Sequence, residues 1–132
     1  MPFVTFTVQR GLSASDKAGL SQAMIEAQVA AGYPPEDLFH RFYEVGAEDL
    51  YIDPRFPDYS NNRSARFMIV DVIISRGKPA DTADIIARES TRLFAERFQL
   101  APQDILYIFQ EVEPHFPRFP PQSNASGITQ HA

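Results

Sequence analysis

The spacing of apolar positions changes period four times along the chain. Residues 3–8 (Phe3, Val4, Thr5, Phe6, Thr7, Val8) carry the β-branched and aromatic side chains of a strand. Ser13 and Asp16 then stand at the spacing of a helix-capping box, and apolar residues follow at Leu20, Ala23, Met24, Ala27 and Ala31. Gly32 falls just past the helix end this predicts, and Pro34 and Pro35 prevent continuation. Residues 38–45 return to strand character. Residues 67–74 are apolar almost throughout, as in a strand buried on both faces. Pro79 suits an early helical turn, Ile85, Ile86, Leu93, Phe94 and Phe98 make an apolar helical stripe, and 105–112 read as a last strand.

The two halves are copies. Val8, Arg10 and Gly11 fall on Ile74, Arg76 and Gly77 at an offset of 66, and one residue of slippage later Pro35, Asp37, Leu38, Phe42, Glu44 and Val45 fall on Pro102, Asp104, Ile105, Phe109, Glu111 and Val112. Each copy reads as strand–helix–strand, over about 2–46 and 66–113. The linker 47–65 holds a candidate short strand at 50–52 and a loop rich in Pro, Asp and Asn. A helix joining two strands over this length is the crossover that permits parallel pairing. The fold class expected is therefore α/β (α+β), a single domain over 2–113 with a tandem β-α-β repeat. Its four-stranded, mainly parallel sheet would carry both helices on one face. The other face would be bare, and self-association is the economical way to cover it. From Pro114 the pattern dissolves into a Pro- and Phe-rich stretch, then a polar tail to 132, expected to be mobile.

Composition removes several kinds of chemistry. At 132 residues with 44% hydrophobic content the chain is one globular domain. A net charge of −5, with Lys and Arg dispersed, argues against nucleic acid as a partner. No cysteine means no disulfide, thiolate zinc site or cysteine nucleophile, and His40, His115 and His131 are too scattered for a metal site. No Gly-rich phosphate loop suggests a nucleotide, so no cofactor is expected. No stretch approaches the ~18 apolar residues of a membrane span, nor is there a signal-like start, so no membrane partner and a cytoplasmic location are the default expectation.

What chemistry remains gathers at Pro2 and after the third main strand. Methionine is usually trimmed before a small residue, and proline qualifies. That would leave a secondary amine, a base when neutral and an acid when charged. The repeat acts as a filter, because architecture recurs in both copies whereas a site residue need occur once. Pro2 has no counterpart, its mate Met68 being an ordinary strand residue. Lys78 faces Leu12 and is also unique, and Arg76 with Lys78 lies just before a helix N-terminus, where anions are favoured. Asp37 and Asp104 are mates, so a turn role competes with a catalytic one for Asp37. Glu44 and Glu111 likewise point to architecture. His40 reads as packed or solvated, Arg41 as able to reach a site on the sheet, and Phe116 and Phe119 as covers for a neighbouring subunit or a pocket mouth.

The amino-terminal proline, the duplicated β-α-β unit and the cationic pair resemble the tautomerase superfamily, and over about residues 2–112 most of all its malonate semialdehyde decarboxylase branch with close tautomerase-like relatives. The resemblance implies Pro2, Asp37 and Arg76 as catalytic residues and Arg76, Lys78 and Phe116 as substrate-binding residues. It further implies a small carboxylate substrate, an oxo acid or unsaturated acid, and a homotrimer. Two positions depart from the decarboxylase pattern: Lys78 stands where that pattern has arginine, and Phe116 is present without a tryptophan. Lysine offers a point charge rather than a planar fork. Arg76 and Lys78 would lower the pKa of a Pro2 amine and an ionised Asp37 would raise it. Neutral, the amine would support keto–enol tautomerisation; cationic, decarboxylation or hydration.

Overall fold

The computed structural model describes residues 1–124 and 127–129. In chain order they form β1 (Phe3–Gln9), α1 (Ala14–Ala30), β2 (His40–Val45), β3 (Met68–Ser75), α2 (Thr82–Phe98) and β4 (Ile105–Val112), then a small hairpin, β5 (Gln122–Asn124) and β6 (Gly127–Thr129). The first four strands make one sheet in the order β2-β1-β3-β4. Within each copy the strands run parallel, β1 with β2 and β3 with β4, whereas β1 and β3 pair antiparallel in the centre. Two β-α-β units thus meet back to back, with both helices on one face as the repeat implied.

The helix-facing side of the sheet forms the core. Val4, Phe6, Val70 and Val72 are fully buried there, against Met24, Ala27, Ile86 and Phe94 from the helices. The Ser13 hydroxyl accepts from Asp16 N at 3.0 Å and starts α1. Past its end Gly32 takes a φ of 101°, a conformation only glycine adopts without strain. An Arg97–Glu26 pair, with both guanidinium nitrogens donating at 2.7 Å, clips α2 to α1 at the surface.

Several expectations are corrected. β3 is buried on one face only: Met68, Val70, Val72 and Ile74 are covered, while Ile69 and Ile73 on the open face are half-buried. Residues 50–52 form no strand, because β2 and β4 are the sheet edges and neither pairs with this segment. A 3-10 turn at Ala47–Asp49 precedes it instead, and the loop beyond is stapled by Arg63, which donates to the carbonyls of Asp53, Phe56 and Gln103. Pro79 precedes α2 rather than entering it; its carbonyl accepts from Thr82 N at 3.1 Å in a turn before the helix. Strand β2 begins at His40 rather than residue 38, since Asp37 N and Leu38 N are used in a turn with Pro34 O and Glu36 O. In the tail, 122–124 pair with 127–129 as β5 and β6, and 125–126 and 130–132 lie outside the described residues.

Candidate active site

Antiparallel pairing in the middle of the sheet decides what the amino terminus meets. Phe3 pairs with Ile73, so Pro2 and Met1 run alongside Ile74 and Ser75, and the chain leaves β3 directly into Arg76, Gly77 and Lys78. Gly77 adopts a φ of 102°, which reverses the chain between the two cations. Parallel pairing on the other side brings the α1–β2 turn to the same corner: Val4 N donates to Phe39 O at 2.9 Å, two residues after Asp37. The start of β1 therefore lies between the aspartate turn of one copy and the cationic turn of the other.

The side chains converge accordingly. Asp37 Oδ2 lies 3.7 Å from the Met1 ammonium, with both groups largely covered. Its repeat mate behaves otherwise: the Asp104 carboxylate, 4% exposed, accepts from Ser64 N and Ser64 Oγ, each at 2.7 Å, and so closes a loop. Lys78 Nζ lies 4.7 Å from the centroid of the Tyr33 ring, a cation–π contact. Tyr33 is itself buried, and burial together with the nearby Asp37 charge raises its phenol pKa above the usual value. Its hydroxyl has no partner among the described residues. Arg76 is largely exposed and pairs with Glu113 at 3.0 Å.

Three hollows adjoin this corner. Met1, Ser75, Arg76, Gly77, Lys78, Pro114, Pro117 and Phe119 line a cavity of about 390 Å³. A second, of about 570 Å³, lies beyond the Arg76–Lys78 turn towards the start of α2 and is lined in part by Thr82, Phe109 and Glu111. Phe116 lines neither. It borders an apolar hollow of about 260 Å³ with Met1, Phe3, Ile73, Val112 and Pro117. The aromatic residue at the cationic cavity is Phe119, whose ring packs 5.3 Å from that of Phe39 and brings the carboxy-terminal segment back over the site.

The sequence-derived residues Asp37, Arg76 and Lys78 thus lie around the amino terminus, and Phe116 is across Met1 from them. Tyr33 and Glu113 were not legible as site residues, whereas Phe119, read as a cover for a neighbouring subunit or a pocket mouth, lines the cationic cavity. Tyr33 had one signal, its place just before the Pro34–Pro35 stop that ends α1. Arg41 lies on the open face of the sheet, donating to Thr5 Oγ1 at 2.9 Å between the Phe3 and Tyr43 rings. His40 is on the helix face, where burial lowers its pKa to about 4.

No protein-family model matches the sequence, and no curated protein is significantly similar to it. Solved structures are similar. Malonate semialdehyde decarboxylase, studied as wild type, a mutant and an inactivated form, superposes with a TM-score of 0.79 at 19% identity, covering 89% of each chain. A malonate semialdehyde decarboxylase inhibited by 3-bromopropiolate gives 0.78 at 19% identity, over 89% of this chain and 88% of that one. A fused 4-OT solved as a symmetric trimer gives 0.69 at 14% identity, over 96% and 94%. The resemblance seen in the sequence is borne out at the level of fold: the chain has the tautomerase-superfamily β-α-β fold.

Proposed function

We propose that the protein is a tautomerase-superfamily enzyme acting on a small oxo acid or unsaturated carboxylate, with Pro2 as its acid–base group once Met1 is removed. One observation carries the reading. The start of β1, the Asp37 carboxylate and the Arg76–Lys78 turn meet at a single corner, with the ammonium of Met1, the residue before Pro2, 3.7 Å from Asp37. Met1 lines both the cationic cavity and the apolar hollow. Its loss would join the two in front of the proline nitrogen and leave Phe116 and Phe119 on either side.

The charges at that corner act in opposite senses on the amine, Arg76 and Lys78 favouring its neutral form. A carboxylate beside an amine stabilises its protonated form. A cationic Pro2 donates its N–H to the carbonyl oxygen of a β-oxo acid, while Arg76 and Lys78 hold the carboxylate. The bond between Cα and the carboxylate carbon then breaks, its electron pair passes towards the polarised carbonyl, and carbon dioxide leaves with an enol. For an unsaturated acid, Asp37 would orient the attacking water. With Pro2 neutral, the same corner supports proton abstraction next to a carbonyl and return elsewhere, a tautomerisation.

The open face of the sheet, with Tyr43, Leu106 and Ile108 exposed, is the surface by which we propose the chain forms a trimer. Among the described residues no helix is long and apolar enough to cross a membrane, and a cytoplasmic location is part of the same proposal. The test is turnover of malonate semialdehyde and phenylenolpyruvate by the wild type and by Pro2→Ala, Arg76→Ala and Lys78→Ala. Pro2→Ala should lose at least about a hundredfold in kcat, and the two cation variants should chiefly raise KM. Retention of Met1 in an inactive protein would favour instead a non-catalytic oligomeric binding protein with this fold.

A further inference from the structure

Behind Asp37 lies a buried chain of hydrogen bonds that the proposed chemistry does not use. Ser21 and Gln28, seven residues apart, share one face of α1, and His40 of β2 lies between them. Gln28 Nε2 donates to the backbone carbonyl of Asp37 at 3.1 Å. A carbonyl only accepts, so this contact fixes the amide orientation, and Gln28 Oε1 faces His40 Nε2 at 2.6 Å. That nitrogen must then carry the proton, and His40 Nδ1 accepts from the Ser21 hydroxyl at 2.7 Å. Gln28 is 1% exposed, so each of these groups would be costly to leave unpaired.

The repeat separates what the architecture needs from what is added. Tyr107 is the mate of His40, and its hydroxyl likewise bonds the facing helix, through Ser90 and Thr91. A polar strand residue tied to its helix therefore recurs in both copies. The onward link to the aspartate does not, because Asp104 is held by Ser64 instead. Only the copy whose aspartate faces the amino terminus has a glutamine gripping the aspartate's own backbone.

We infer that Gln28, oriented by His40 and Ser21, is a positioning residue that sets the Asp37 carboxylate against the amino-terminal nitrogen; this rests on the functional reading above. The test is a double-mutant cycle on turnover, with Asp37→Asn, Gln28→Leu and Gln28→Glu alone and Gln28→Leu combined with Asp37→Asn. Gln28→Leu removes both bonds at similar volume. Gln28→Glu keeps an acceptor for His40, loses the amide donor to Asp37 and adds a buried carboxyl, whose effect on stability the unfolding of the variant reads. Both should cost at least about tenfold in kcat with little change in KM, as a displaced catalytic group does. In the Asp37→Asn background Gln28→Leu should then cost nothing further.

An equal cost of Gln28→Leu in both backgrounds, or wild-type turnover by Gln28→Glu, would overturn the inference and leave the functional reading standing. Wild-type turnover by Asp37→Asn, or no turnover by the wild type, would overturn the functional reading and the inference with it. Thermal unfolding of each variant keeps misfolding separate. If Gln28→Leu does not fold, Gln28→Glu alone decides through its kcat.

Discussion

The buried imidazole of His40 makes the stability of the fold fall with acid in a way one substitution should abolish. Burial lowers its pKa from 6.5 to about 4. The unfolded chain therefore binds a proton over a pH range in which the folded chain does not. Stability from the neutral ring is complete above pH ~6.5 and is lost as pH falls towards ~4. For a group with these two pKa values, the loss between pH 7 and pH 5 is about 1.8 kcal/mol. Partial solvent access to the ring sets the expected range at about 1–2 kcal/mol. His40→Gln keeps an amide donor for Gln28 and removes the titration. Urea unfolding at pH 7 and pH 5, at one protein concentration, gives the measurement as a double difference that cancels titrating carboxylates common to both proteins. The wild type should lose about 1–2 kcal/mol more than His40→Gln. Equal losses would refute the reasoning, because the ring would then be titrating as freely folded as unfolded.

The remaining predictions concern the core, the aspartate mates and the second cation. Phe94 is fully buried between α2 and the sheet, so Phe94→Ala should cost about 3–5 kcal/mol, read from denaturant midpoints at unchanged slope. Asp104→Ala removes two hydrogen bonds from exposed Ser64 to a buried carboxylate and should cost about 2 kcal/mol, with kcat per folded molecule unchanged in a turnover assay. Tyr33→Leu removes the ring on which Lys78 rests and should raise KM for a carboxylate substrate severalfold, whereas Tyr33→Phe should restore it, steady-state kinetics being the readout.

The sequence made the repeat legible because architecture is written in apolar spacing, and apolar spacing survives duplication. It placed Asp37 and Asp104 as mates but could not say that their carboxylates serve different partners, since that depends on Ser64 reaching across from the linker. Pro2 and Lys78 stood out because each occurs in one copy, Lys78 completing a cationic pair with Arg76, whose mate is Arg10. What brings them together is the antiparallel β1–β3 pairing, a contact between copies that periodicity within a copy cannot encode. The apolar run 67–74 was open to two readings for a similar reason. Ile69 and Ile73 are as apolar as Val70 and Val72, yet they lie half-buried on the open face of the sheet. Glu113 and Tyr33 were missed because each acts through a cation, and no spacing rule connects a loop aromatic to a lysine 45 positions on.

The central claim concerns one nitrogen, and the mass of the amino-terminal peptide after incubation with 3-bromopropiolate tests it most directly. If the claim holds, the peptide begins at Pro2 and carries a covalent adduct on the proline nitrogen, and turnover is lost in step with its formation. A peptide that begins with Met1 and is unmodified, from protein that still turns over substrate, would contradict it.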